Sequence, residues 1–450
     1  MWRQRMGDVR LELNGNGGSW QSRSDTLRYE FQNGSTTPSR SFSDQASTRE
    51  RSLNLTLKAS GLAGGGGDGR APAQPAPEHS LVSGAEIEAV TRSETRVSVP
   101  DLADFGDNLK ASSLRLAAYA QDEWRLSPAL SVHAGLRWEG ITTRGDTGQG
   151  GRPTNRTSVW TPLLHAVWKP DPKSRDQVRI SLTRSYRSPP LGALIARPTI
   201  NRDYPVEPTD QANREPYPDS AGNSGLKPEL ATGIDLAIER YIEGGGVLSA
   251  NLFHRSISNL IRSQVSLEDV PWSTFDRYVR RQRNIGDATT SGIELEAKFR
   301  LNQVFTGAPG VELRSNLSVY SSRVNSVPGP DNRLDQQAKA SANIGADYRL
   351  RGVPITLGGN LNWVPGYSTR LDVDQTTTVS TKQVWDVFAL WTINPAMGLR
   401  LLANNLDPRD YTTTGVNGSV NVVTGANERT TSQSFGPSYT NWQLRLELKL

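Results

Sequence analysis

The residues best suited to chemistry crowd into one short run. Between positions 271 and 283 stand Trp272, Phe275, Arg277, Tyr278, Arg280, Arg281 and Arg283. Guanidinium groups present fixed forks of N–H donors to anions, and aromatic faces stack on flat groups and on cations. Such a run can hold a ligand, but it offers neither a nucleophile nor a general base. A second polar stretch, 187–225, mixes Arg197, Arg202, Tyr204, Arg214 and Tyr217, and from it Arg202, Tyr204 and Tyr217 join the candidate ligand contacts. The plainer reading of the first run is a solvated loop whose arginines meet phosphate groups at a membrane surface. For the second it is ordinary loop packing.

Bond-making chemistry finds little support. His79, His133, His165 and His254 are far apart and lack metal-ligand spacing. Cysteine is absent, which removes disulfides, thiolate metal sites and thiol nucleophiles together. The glycine run at 64–69 lacks the Gly-Lys-Ser/Thr of a phosphate loop, and with the Ala/Pro-rich residues 71–77 it reads as a flexible linker. There is no Gly-x-Ser-x-Gly elbow. The expectation is a protein that is not an enzyme and needs no cofactor or metal. Its net charge of +5 comes from 51 basic and 46 acidic residues spread along the chain, so no nucleic-acid partner is expected.

The elements that must position these residues are strands. Leu53, Leu55 and Leu57 alternate with polar residues, as do Ile293, Leu295, Ala297 and Phe299, and Ile355, Leu357, Leu361 and Trp363. Period two puts each such set on one strand face. About seventeen segments read this way, and no stretch reads as a helix. No apolar run approaches the ~18 residues of a membrane-spanning helix, while Trp 11, Tyr 12 and Phe 9 argue against disorder. Tight connections at 127–129, 244–246, 351–354 and 394–397 alternate with long polar ones at 93–111, 142–158, 187–228, 258–288, 325–337, 365–381 and 407–438. Short turns at one end and long loops at the other mark a transmembrane antiparallel β-barrel of the outer-membrane type. The hydrophobic content of only 35% then has a cause: a barrel needs apolar side chains on its lipid face alone. Trp124, Trp138, Trp160, Trp168, Trp363 and Trp385 fall near strand ends, where aromatic girdles sit. Arg137, Glu139, Glu294, Glu296, Arg445 and Glu447 fall in the lumenal phase. Asp122 breaks the outward phase of 112–126, and either a rim position or a bulge would account for it. Outer-membrane lipid and lipopolysaccharide are the expected surroundings.

Five motifs in order resemble the TonB-dependent outer-membrane receptors. Asn223-Ser224-Gly225-Leu226-Lys227-Pro228-Glu229 resembles their Asn-x-x-Leu-Lys-Pro-Glu segment. Tyr119-Ala120-Gln121-Asp122-Glu123-Trp124 with Gly135-Leu136-Arg137-Trp138-Glu139 is similar to another pair, and Ser185-Tyr186-Arg187-Ser188-Pro189 to a third segment. Asn284-Ile285-Gly286 with Ser291-Gly292-Ile293-Glu294, and Asn404-Asn405-Leu406-Asp407 with Tyr411, complete the set. The C-terminal alternation of Trp442, Leu444, Leu446, Leu448 and Leu450 resembles a closing strand, although the family's assembly signal usually ends in Phe or Trp. The resemblance implies a 22-stranded barrel around an N-terminal plug, and active uptake of a small nutrient, most often a ferric siderophore, driven through the TonB complex. Residues 1–450 then read as a single barrel domain in the bacterial outer membrane. No signal peptide, plug or energy-coupling box is legible, so the plug and first strands are expected to be missing, with TonB contacts in that missing N-terminal region. An odd strand count would leave the two end strands running parallel, unable to close an all-antiparallel sheet. A passive porin or surface-binding barrel, or a soluble β-rich carbohydrate-binding or hydrolytic protein, are the alternative readings.

Overall fold

A computed structural model describes residues 1–31, 34–63, 78–99, 108–146, 152–196, 198–199, 213–420 and 425–448. The glycine-rich linker expected at 64–77, and Arg197, Arg202, Tyr204 and Leu450, lie outside the described residues. In chain order the first elements are β1 (Trp2–Met6), β2 (Val9–Glu30), β3 (Arg40–Ala63), β4 (Glu78–Val99), β5 (Asn108–Ser127), β6 (Leu130–Asp146), β7 (Thr154–Trp168), β8 (Gln177–Arg187), α1 (Leu191–Ile195) and β9 (Asp219–Ser220). There follow β10 (Glu229–Ile242), β11 (Gly246–Ser258), β12 (Ile261–Glu268), β13 (Arg277–Asn284), β14 (Ala288–Arg300), α2 (Leu301–Val304), β15 (Glu312–Val324), β16 (Ala340–Arg349) and β17 (Ile355–Val364). The last are β18 (Tyr367–Arg370), β19 (Gln375–Val379), β20 (Lys382–Asn394), β21 (Met397–Asn404), β22 (Tyr411–Val420), β23 (Asn427–Gly436) and β24 (Asn441–Leu448).

One 17-stranded sheet forms the wall. It runs β1–β8, β10, β11, β14–β17, β20, β21, β24, each strand antiparallel to its neighbour. Among the described residues β1 pairs only with β2, and β24 only with β21. The count agrees with the expected seventeen through two differences that cancel. The segments expected at 8–13 and 26–31 merge into one 22-residue strand, β2, over Val9–Glu30. Its middle, Asn14–Asp25, is glycine-rich and polar, so pairing with β3 rather than hydrophobic alternation holds it extended. Conversely β1, which begins Trp2-Arg3-Gln4, was not legible as a strand.

The wall is a single layer with two solvents. Leu53, Leu55, Leu57, Leu136, Leu164 and Ile238 are about half exposed because they face outward, as lipid-facing side chains must. No apolar core lies behind the sheet among the described residues. The buried apolar clusters sit at the long-loop end instead: Leu109, Ala111, Leu194, Ile195 and Leu226; Leu260, Ala288, Val324 and Val327; Ala221, Val270 and Val279. A sandwich would bury its core between sheets. Trp138 and Trp160 are direct cross-strand partners about midway along β6 and β7. Trp168 lies at the turn end of β7. Eight residues separate Trp160 from Trp168, roughly 19 Å at ~3.3 Å rise and ~45° tilt, close to the apolar band of a barrel. Strands β2–β5, 20 to 24 residues long, overshoot that band. Asp122 stays in the outward phase; the β5 bulge falls after it, between Arg125 and Ser127. His79 Nδ1 sits 2.6 Å from its Oδ2, so a hydrogen bond meets one oxygen of the carboxylate.

Candidate ligand-binding site in the loop assembly

The segments read as long polar loops carry strands of their own. β12 and β13 form a hairpin from Ile261↔Asn284 to Glu268↔Arg277, and β9 adds in parallel through Val279↔Asp219. β18, β19, β22 and β23 make a second small antiparallel sheet. Period two along β13 decides what each arginine does. Arg277, Val279, Arg281 and Arg283 share one face, and Tyr278 and Arg280 the other.

The first face packs inward. Arg277 is fully buried, as is Asp219. Its Nε donates to Asp219 Oδ2 at 2.7 Å and its Nη2 to Oδ1 at 2.9 Å, and Trp272 Nε1 donates to Oδ2 at 3.0 Å. Arg281 Nε donates to Glu268 Oε2 at 2.7 Å and its guanidinium stands 5.9 Å from the Trp272 ring. Arg283 Nη2 donates to Glu268 Oε1 at 2.6 Å and to Ser266 Oγ at 2.7 Å. Burial pushes the Glu268 carboxyl upward, but hydrogen bonds from Arg281, Ser266 and Arg283, with the Arg281 charge, outweigh it and hold the group below the usual carboxylate range. Trp272, Arg277, Arg281 and Arg283 therefore build the loop. Phe275 lies 6.0 Å from the Arg277 guanidinium. Tyr278 is tied by its backbone to Asn213, N–H to Oδ1 at 2.5 Å and C=O to Nδ2 at 3.1 Å. Tyr217 is exposed and stacks 5.6 Å from Arg214.

Arg280 is different. It is exposed, has no side-chain partner among the described residues, and lines a basin of about 510 Å³ with Glu215, Arg262, Asp335, Asp372 and Asp374. Arg262, buried, pairs with Asp335 and donates to the carbonyls of Arg333 at 2.7 Å and Leu371 at 3.1 Å. That leaves Arg280 against Glu215, Asp372 and Asp374. Burial and then the charges of Asp374 and Asp372 push the Glu215 carboxyl up. Of the arginines in that run, Arg280 lines this basin, which is mixed in charge with an acidic excess. Asp219, Glu268, Arg262 and Glu215 were not singled out; the signal for Arg280 was the alternation Arg277-Tyr278-Val279-Arg280, whose buried phase contains a valine.

Inside the wall, Arg115 and Arg137 bridge Glu86, Glu88 and Glu139. Arg137 Nη2 donates to Glu86 Oε2 at 2.7 Å and Nε to Glu139 Oε1 at 2.5 Å; Arg115 Nε reaches Glu88 Oε2 at 2.9 Å, and the Tyr186 hydroxyl donates to Glu139. His133 and His165 are cross-strand partners with rings 5.7 Å apart, lining a lumenal cavity of about 650 Å³. Among the described residues no group of three or more His, Asp or Glu is placed to hold a metal ion.

A family model described as TonB dependent receptor-like, beta-barrel, matches residues 1–406. The chain belongs to the TonB-dependent receptor β-barrel family. Barrels of this family reside in the bacterial outer membrane and are non-enzymatic transporters. The chain is similar to a ferric enterobactin receptor of Pseudomonas aeruginosa, 28% identical over 244 residues, which are 52% of this chain and 28% of that protein. In structure it is similar to the copper transporter OprC, with a TM-score of 0.65 at 15% identity, covering 98% of this chain and 62% of that one. It is also similar to the ferripyoverdine receptor of the outer membrane of Pseudomonas aeruginosa, with a TM-score of 0.59 at 14% identity, covering 96% and 54%. The chain thus spans less than two thirds of the relatives it matches.

Two receptor motifs clasp each other at the base of the loops. The Asn284 side-chain amide donates to the Lys227 carbonyl at 2.9 Å and accepts from the Lys227 N–H at 2.9 Å, and also reaches the Asn259 carbonyl at 2.8 Å. Asn155 Nδ2 donates to the carbonyls of Ser224 and Leu226, both at 2.8 Å, while Glu229 Oε1 accepts from Ile261 N–H at 2.6 Å. The Leu226 side chain is buried among Leu109, Ala111, Leu194 and Ile195. Asn-x-x-Leu-Lys-Pro-Glu is therefore a structural latch for the central loop, whose irregular backbone needs side-chain partners once buried.

Proposed function

We propose that this chain is the barrel wall and loop face of an outer-membrane receptor for TonB-dependent active uptake, and that its cargo is a ferric siderophore. The observation that carries the reading is the basin around Arg280, built at the long-loop end of a barrel of this family. Its volume lies in the range of small-molecule sites, with polar groups converging from several loops. Arg280 and Tyr217 supply a guanidinium and an exposed ring to the ligand, and Arg202 and Tyr204 belong to the same central loop. In this reading a plug outside these residues fills the lumen, where the charged belt of Arg115, Arg137, Glu86 and Glu139 meets it. Pull from the TonB complex on the plug frees the cargo, and no bond in the cargo breaks. A second reading, a cationic metal or positively charged complex as cargo, is favoured by Glu215, Asp372 and Asp374 outnumbering Arg280 in the basin.

The test is binding of a panel of anionic and cationic iron chelates and free divalent metals to the complete receptor, with iron-restricted growth of a deletion strain as readout. Loss of growth on one ferric siderophore, restored by the gene, supports the proposal. Growth unaffected by deletion on every siderophore tested, with uptake of a free metal ion lost instead, overturns it in favour of the second reading.

A further inference from the structure

The lipid face of a barrel is ordinarily a continuous band of apolar side chains. Here it is interrupted. A depression of about 760 Å³ opens across β3–β6, floored by the small side chains of Ala59, Ser83, Ala120 and Ala134. Val9, Leu81, Leu136 and Leu164, all about half exposed, form its ridges. Register puts it on the outside. Gly61 opposes Leu81, Leu81 opposes Asp122, Asp122 opposes Ala134, and Ala134 opposes Leu164, so this row shares the outward phase of the leucines.

Asp122 stands in that row and lines the depression. Its Oδ2 meets His79 Nδ1 at 2.6 Å, and its Oδ1 is buried without a hydrogen-bond partner. A buried carboxylate oxygen with no donor is unfavourable beside hydrocarbon. Trp124, on the next outward position, stacks on His79 at 5.3 Å. Trp124 sits near the tight β5–β6 turn, so the carboxylate lies at the level where headgroups meet acyl chains on the turn side. The place thus offers an apolar trough, an unmatched acceptor and an aromatic face together.

We propose that this depression binds a phospholipid of the turn-side leaflet whose headgroup bears a primary ammonium, of the phosphatidylethanolamine type. One acyl chain fills the trough over Ala120 and Ala134. The ammonium donates to the Asp122 carboxylate, whose side chain is 31% exposed, and lies against Trp124. The imidazole of His79 faces the lipid phosphate. Charge complementarity selects this occupant: an anionic glycerol headgroup meets an unmatched carboxylate, and a trimethylated choline headgroup has no N–H to donate.

The test is native mass spectrometry of the full-length protein released from bilayers containing equal ethanolamine, choline and glycerol phospholipids. The wild type is expected to retain the ethanolamine lipid about three- to fivefold over the others, the scale of an interfacial charge pair. Asp122→Asn, nearly isosteric, should abolish that preference; Ala120→Leu, which fills the trough, should lower retention of all three. Equal retention of the headgroups by the wild type overturns the proposal without recourse to any variant. A preference that survives Asp122→Asn overturns it as well.

Discussion

Asp219 and Arg277 sit at the centre of the loop assembly with both side chains at 0% exposure, joined by two hydrogen bonds of 2.7 and 2.9 Å. The Trp272 indole donates a third bond to the same carboxylate. Removing one partner leaves an uncompensated buried charge, which costs about 3–5 kcal/mol. The pair itself need not be a net gain, because Arg277 Nη1 is buried without a partner. Replacing both by apolar groups of similar size is then expected to be near neutral, within about 1–2 kcal/mol. Hydrogen exchange on amides of β9, β12 and β13 in the folded receptor reads the difference. Arg277→Met alone and Asp219→Leu alone should each speed exchange by roughly two to three and a half decades, at about 1.4 kcal/mol per decade. The double variant should recover most of the protection. The wall strands should be unaffected, since their ladders close independently of this pair. Two results refute the reasoning: wild-type protection in the single variants, or a double variant as damaged as the sum of the two singles.

Other outcomes follow from the same geometry. Glu268, held below its ordinary value of 4.5, binds fewer protons folded than unfolded, so its contribution is present above that pH and fades as the pH falls below it. Loop exchange protection should therefore drop below about pH 4.5, and Glu268→Gln should flatten the drop. Leu226→Ala should cost about 2–5 kcal/mol locally and expose the 188–228 segment to protease while heat-modifiable migration of the barrel persists. Arg280→Ala should change ligand affinity several-fold with loop protection intact, whereas Arg283→Ala should lower loop protection first, as measured by paired titration and exchange.

The wall was legible because lipid and water impose a strict two-fold period. Residues 355–364 alternate cleanly and form β17 to the residue. Legibility failed where that period was absent. β2 runs through Gly15, Gly17 and Gly18 because its partner β3 holds it, and a glycine carries no face preference to read. The loop strands were hidden for a different reason. β12 and β13 bury one face against other loops rather than against lipid, so their inward phase mixes Val279 with Arg277 and Arg281, which are paired rather than apolar. The motifs 223–229 and 284–286 were visible as a resemblance, but their work, a side-chain amide bridging two backbones, depends on neighbours distant in sequence.

The arginine run shows why composition misleads about charge. A guanidinium attracts a ligand only if no protein carboxylate has claimed it, and that is a property of pairs. Along β13 the claim falls on the phase containing Val279: Asp219 takes Arg277, and Glu268 takes Arg281 and Arg283. These carboxylates enter from β9, which pairs at Val279↔Asp219, and from β12, whose Glu268 reaches Arg281 and Arg283. Only the opposite phase leaves a cation facing the basin. The run's positive charge is therefore largely spent inside the loop, and the field a ligand meets is set by Glu215, Asp372 and Asp374 around Arg280. Sign reversal of this kind follows from strand periodicity together with partner register, and neither alone would reveal it.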